Sequence, residues 1–269
     1  MPVPGRETAA LIVLVSVSIA GCSPHNGSTG ATANPAAAAR TKPAPAKSTS
    51  DGTVPSETGV EKEKPAAGTG NIQGRVLYNG KPVSGIQVKL CEKFSQFVGG
   101  CSGEQFTAKT GDDGVYVIKN VPPKTYEALE AKVFDTNYYV FATSGILSSA
   151  KYKIDPDKTF FAPDTNLFKS DLKLLSPKAG AKVGGSGIEV KWAAYPDAAY
   201  YKFSINGDSS SGAKTEYDYI NKRVDGLSYV LDKPLTPGTY SCRVQAFNSN
   251  DVKLSQSADD IKFTVKAGT

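Results

Sequence analysis

The chain has 269 residues, with 31 Lys and Arg against 26 Asp and Glu, for a net charge of +5. The two signs are interspersed, which excludes the concentrated basic footprint that nucleic acid requires. Its single histidine, His25, lies in a polar stretch, so the aromatic-rich remainder lacks the imidazole of Ser-His-Asp and Cys-His nucleophiles and of histidine-ligated zinc.

The one strongly apolar run covers residues 9–20. A membrane-crossing helix needs about 20 apolar residues, so this run is too short to span. Its length suits the apolar region of a secretory signal peptide, with Arg6 as the basic flank. The run closes on Ile19-Ala20-Gly21-Cys22, which resembles the lipobox of bacterial lipoproteins. That resemblance implies that residues 1–21 are removed as a signal peptide and that Cys22 carries acyl chains such as palmitate. Two or three chains are needed for durable attachment, because one anchors only marginally. Ser23 stands where the family's inner-membrane retention signal is Asp. The resemblance therefore places the protein in the bacterial cell envelope, at the outer membrane or cell surface rather than the inner membrane.

Residues 22–70 are mostly Ala, Pro, Gly, Ser and Thr with scattered charges, no Phe, Tyr or Trp, and almost no large aliphatic residue. Such a stretch buries too little apolar surface to offset its conformational entropy, so it is expected to be a disordered tether. A flexible chain of this length reaches about 35–40 Å.

From Asn71 onward, short alternating runs of Val, Ile, Tyr and Phe are separated by Gly, Pro, Asn and Asp, the pattern of an all-β sandwich. Two β-sandwich domains in tandem are expected, at 71–174 and 175–269. The first opens with Ile72, Val76 and Tyr78, turns through "NGKPVSG", and resumes with Ile86, Val88 and Leu90. Gly74, Val76, Gly80, Pro82, Val83, Gly85 and Val88, followed later by Thr110, Asp113, Gly114, Tyr116, Ile118, Val121, Pro122, Pro123 and Tyr126, resemble a carboxypeptidase regulatory-like domain. That family is a transthyretin-like sandwich and is not itself a peptidase. Lys124 departs from the pattern, which usually has glycine there.

In the second domain, Ile188, Val190 and Trp192 precede a proline-containing turn and the strand Tyr201, Phe203, Ile205. "LTPGTYSCRVQAF" then sets Tyr240, Cys242, Val244 and Ala246 on one face. This resembles a fibronectin type III domain, with Trp192 in the core and Tyr240 as a corner tyrosine whose hydroxyl bonds nearby backbone.

Four cysteines divide by context. Cys22 is the lipidation site, Cys242 a small buried thiol, and Cys91 with Cys101 a candidate disulfide across a short loop in an oxidising compartment. The spacing matches no metal site, and no cofactor is expected. The acidic pairs Asp112-Asp113, Asp155-x-Asp157 and Asp259-Asp260 read as turn residues. Calcium would need more oxygen ligands than each loop offers, and a carboxylate-based hydrolase would need two acids converging in a cleft.

Binding is what remains. Aromatic residues cluster at 134–144, at Tyr200-Tyr201 and at 215–220, and Tyr139 and Tyr217 are the surface candidates for contacting a ligand. The expectation is a non-catalytic envelope protein that meets another envelope protein, or alternatively a carbohydrate or cell-wall polymer.

Overall fold

The computed structural model describes residues 48–97, 100–144, 148–218, 222–257 and 261–267. The signal peptide expected at residues 1–21, Cys22, His25, the first part of the expected tether and Asp259-Asp260 lie outside the described residues. The described chain is strands and turns, with one short 3-10 turn at Ser209–Ser211. No helix among the described residues is long and apolar enough to cross a membrane. The fold class is all-β, arranged as two sandwiches in tandem.

In the first sandwich the strand Gly70–Tyr78 is the hub. It runs antiparallel to Val115–Val121 and Lys81–Pro82, and parallel to Thr159–Phe161 and Thr165–Leu167. The opposing sheet orders Gly100–Lys109, Gln87–Ser95, Ala128–Lys132 and Tyr139–Phe141. Ile72, Val76 and Ile118 from one sheet meet Val88, Leu90 and Leu129 from the other in a single buried cluster. Gly74 faces inward among them. A Cβ there would sit 2.4 Å from the Tyr116 hydroxyl, so any side chain would displace a fully buried ring. The hairpin turn uses Asn79 at φ 50° and Gly80 at φ 72°, the pair of left-handed residues that a tight turn of this hand needs.

The second sandwich places Leu174–Ser176, Glu189–Trp192 and Ser228–Val230 against a larger sheet. That larger sheet contains Tyr200–Gly207 paired along its whole length with Gly238–Phe247. The register sets Tyr201 opposite Ala246, Phe203 opposite Val244 and Ile205 opposite Cys242, all on the buried face. Trp192 packs against Tyr201 and Phe203, with ring centroids 5.5 and 6.3 Å apart. Leu172 already belongs to this second core, so the boundary expected at residue 174 falls a few residues earlier.

The disordered tether expected over residues 22–70 needs a second correction. Residues 48–69 form a strap laid against the first sandwich. Thr53 bridges in parallel to Lys151, and the Val54 amide donates to the Lys151 carbonyl at 2.9 Å. The Glu57 amide donates to the Phe161 carbonyl at 2.8 Å. Further along, the Gln73 side chain donates to the Val60 carbonyl (2.9 Å) and accepts from the Lys62 amide (3.0 Å). Asn71 Nδ2 donates to the Glu63 carbonyl at 2.8 Å. Backbone hydrogen bonds and two buried amide side chains hold this strap, and composition cannot reveal them. Its apolar anchor is Val54, buried in the first core.

The sandwiches meet through a hydrogen-bonded seam. Lys169 pairs in parallel with Ser255, its amide donating to the Leu254 carbonyl and its carbonyl accepting from the Gln256 amide, each at 2.9 Å. The hairpin of the first sandwich reaches across. Asn79 Nδ2 donates to Asp197 at 2.9 Å, Asn248 Nδ2 donates to Asn79 Oδ1 at 2.7 Å, and the Tyr78 and Tyr195 hydroxyls lie 3.3 Å apart.

Shortening Val54 to Ala should lower stability by about 1.6 kcal/mol, two buried carbons at ~0.8 kcal/mol each. Urea unfolding of wild type and Val54→Ala checks this. Coincident curves would return residues 48–60 to the status of a loose tether.

Candidate functional site

The two tyrosines expected at the surface part company. Tyr217 is a core residue: it is 5% exposed, its ring packs near Phe203, and its hydroxyl donates to Asp232 while accepting from the Lys233 amide at 3.0 Å. The reading of Tyr217 as a ligand-contacting ring is corrected. Its carbonyl accepts from the Ile205 amide at 2.7 Å, so the residue runs beside the strand Tyr200–Gly207 and its ring joins the second core. Tyr139 is half-buried on the outer face of the first sandwich's second sheet, with the Lys89 ammonium 4.7 Å above its ring. Tyr200 and Tyr201 are both buried as well, Tyr200 stacked on Phe247 at 5.1 Å beneath the Arg223 guanidinium at 3.9 Å.

On the Tyr139 face, Lys89 also pairs with Glu130 at 3.5 Å. Glu130 is nearly inaccessible, and burial pushes its carboxyl above the usual range while Lys89 pulls it back. Cys101 Sγ lies 3.0 Å from Glu130 Oε2 and is bonded to Cys91, with Cα atoms 5.4 Å apart. The two sulfurs and the carboxylate lie within 4.8 Å of one another, but the disulfide engages both sulfurs and leaves no thiolate for a metal. In the chain-entropy picture a bridge over so short a loop contributes somewhat under about 3 kcal/mol.

The disulfide spans a loop that sequence reasoning read for its cysteines and not as a binding site. Phe94, Ser95, Gln96 and Phe97 form one wall of a groove of about 250 Å³, and Glu127, Ser148, Ser149 and Lys151 form the other. Phe94 is fixed against Phe141 with centroids 4.6 Å apart, and its amide donates to Glu127 Oε2 at 2.9 Å. Phe97 projects into solvent at 69% exposure. Gln96 is 9% exposed, and its Oε1 has no hydrogen-bond partner. The signal available in the sequence was an aromatic residue inside a short loop bounded by two cysteines, where strand alternation cannot turn the ring inward. A second recess, of about 380 Å³ beside the strap, has Arg75 and Asp164 in its lining, and Arg75 Nε and Nη2 pair with the Asp164 carboxylate in a fork at 3.1 and 2.5 Å.

The described acidic pairs are engaged in local structure. Asp113 Oδ1 accepts from the Val115 amide at 3.0 Å while its other oxygen pairs with Lys62. Those contacts hold its carboxyl below the usual range, the Lys62 bond first. Asp112 accepts from Ser84 at 3.0 Å, Asp157 accepts from the Gly68 amide at 2.7 Å, and Asp155 faces Lys153 at 3.5 Å. Tyr240 is a corner tyrosine, its hydroxyl donating to the Thr236 carbonyl at 2.8 Å.

No protein-family model matches the chain, and no curated protein matches it either. Solved structures similar to it include the fibronectin(III)-like modules of CbhA from Clostridium thermocellum. These are 16% identical, over 36% of this chain and 99% of that one, with a TM-score of 0.27. The FN1-FN3 domains of chicken CNTN1 are also 16% identical, over 80% of this chain and 69% of that one, with a TM-score of 0.27. The major pilin SpaD of Corynebacterium diphtheriae is 10% identical, over 72% of this chain and 64% of that one, with a TM-score of 0.25. At these values the likeness carries no functional information.

Truncating Tyr217 to Ala should cost about 3 kcal/mol, as other large buried rings do, measured as a drop in the urea midpoint of the second sandwich through Trp192 emission. An unchanged midpoint would put the ring back on the surface. Cys242 supplies a pH prediction. Burial pushes its thiol up to about 12, whereas an unfolded thiol ionises near pH ~8.5. The folded state keeps the proton longer, so this contribution is whole below pH ~8.5 and is lost as pH rises towards the folded value, at about 1.4 kcal/mol per unit. The alkaline decline of stability should be shallower in Cys242→Ala than in wild type. Parallel declines would assign the loss to the buried tyrosines alone.

Proposed function

We propose that this chain is a lipid-anchored protein of the bacterial envelope whose two sandwiches act as one non-catalytic binding unit, contacting an envelope protein or polysaccharide. The observation that supports it best is the continuity of the molecule from strap to seam. A tether from Cys22 would meet the first sandwich at the strap, which is bonded to Lys151, Phe161, Gln73 and Asn71. The second sandwich is then held through Lys169, Asn79 and Tyr78. This arrangement holds the second sandwich in a fixed relation to the strap where the tether would arrive, which suits display rather than turnover. The described acidic pairs support the same reading, since each is engaged in a turn or an ion pair instead of converging in a cleft.

Replacing Cys22 with Ser tests the anchor. Cells fed a clickable fatty acid should label the wild-type protein and not the variant, and the variant should move from the membrane pellet to the soluble fraction. An unlabelled wild type that still sediments with membranes would remove lipidation from the account.

A further inference from the structure

The groove at the disulfide turn holds two features that the fold itself does not use. Gln96 is more than nine-tenths buried, lines the groove, and has an amide oxygen with no partner, a state that costs stability. Beside it Phe97 exposes most of its ring to water. Both sit in one turn, which the Cys91–Cys101 bridge ties at its base and the Phe97 amide tightens by donating to Ser95 Oγ at 3.4 Å.

We propose that this groove binds an uncharged saccharide, with the Phe97 ring stacked on the C–H face of one sugar and the Gln96 side chain turning to bring its buried, unpartnered oxygen to a sugar hydroxyl. This deepens the proposed binding role and rests on it. The chemistry of the walls selects the class. A sugar ring offers an apolar face for an aromatic platform and hydroxyls around its rim for polar neighbours. A hydroxyl both donates and accepts, so it satisfies Gln96 whichever way the amide is turned. On the opposite wall Ser149 Oγ donates to the Glu127 carbonyl at 2.5 Å, which leaves its lone pairs free to accept from a ligand. Charge argues against an ionic ligand. Glu127 is engaged by Lys93 at 3.6 Å and by the Phe94 amide, and on the same wall Lys151 is the one cation among the lining residues. Neither an anion nor a cation meets a cluster of opposite sign there.

The test titrates the full chain, purified in a detergent without a sugar headgroup, with chitotetraose and cellotetraose as separate probes. Saturable heat with at least one probe is expected at millimolar concentration or below. Phe97→Ala should weaken it by about tenfold, the scale of one aromatic contact, without changing the melting temperature because the ring is exposed. Gln96→Leu should weaken binding and raise the melting temperature, since it deletes an unpaired buried oxygen and keeps the volume. A structural glutamine would do the reverse, losing stability on substitution while binding stayed intact, and that result overturns the site. So does binding that both variants leave unchanged, or the absence of heat with either sugar. A failed titration leaves the membrane-fraction result for Cys22→Ser untouched, so the site and the anchor stand or fall separately.

Discussion

The strand Gly70–Tyr78 is the constraint on which the rest of the molecule depends. A strand in a sheet must satisfy every backbone donor and acceptor and divide its side chains between two faces. This one does so with four partner strands and then uses both ends for other purposes. Ile72, Gly74 and Val76 point into the core, while Asn71 and Gln73 turn outward and fasten the strap. Its far end, Tyr78 with Asn79 beyond it, grips the second sandwich. One element therefore determines how the chain arrives, how the first core closes, and where the second domain sits.

Both junctions rely on directional hydrogen bonds, from backbone as well as from side-chain amides and hydroxyls, more than on apolar area. Lys169 shows how the seam mixes the two. Its backbone is laddered to the strand Lys253–Gln256, and its ammonium lies 5.2 Å over Tyr78 and 5.6 Å over Phe134, which themselves meet edge to face at 5.5 Å. Such contacts are short-ranged and directional, so the seam fixes an orientation that a greasy patch would leave free to slide. The second sandwich is organised in the opposite way. Trp192, Phe203, Tyr240 and Phe263 fill its centre, and the polar tip of Tyr240 is spent on the chain just before it.

The strands were legible wherever alternation was strong. Phe203 and Ile205 in one run, with Tyr240, Cys242, Val244 and Ala246 in another, declare their buried face because period two permits only one choice for each. The Asn79-Gly80 turn was legible because those residues tolerate left-handed backbone. Tyr217 misled because it lies beside strands, not in one, so alternation had no hold on it. The strap misled because Val54 is a lone apolar residue among polar ones, and its partners are distant in sequence. The Gln96–Phe97 turn was hidden for the same reason: a loop's exposure depends on what packs beneath it.

By itself, then, the sequence determined the all-β class, the two cores, and which face of each strong strand is buried. It also carries the lipobox-like ending at Cys22, a local pattern that needs no fold to be read. Tertiary structure alone decided that residues 48–69 are bound, that Lys169 joins the two sandwiches, and that Gln96 and Phe97 share a groove with Ser149 and Lys151. The physical reason is range. Periodicity, turn chemistry and capping act over a few neighbouring residues, whereas a buried amide or an exposed ring is defined by what the rest of the chain brings to it.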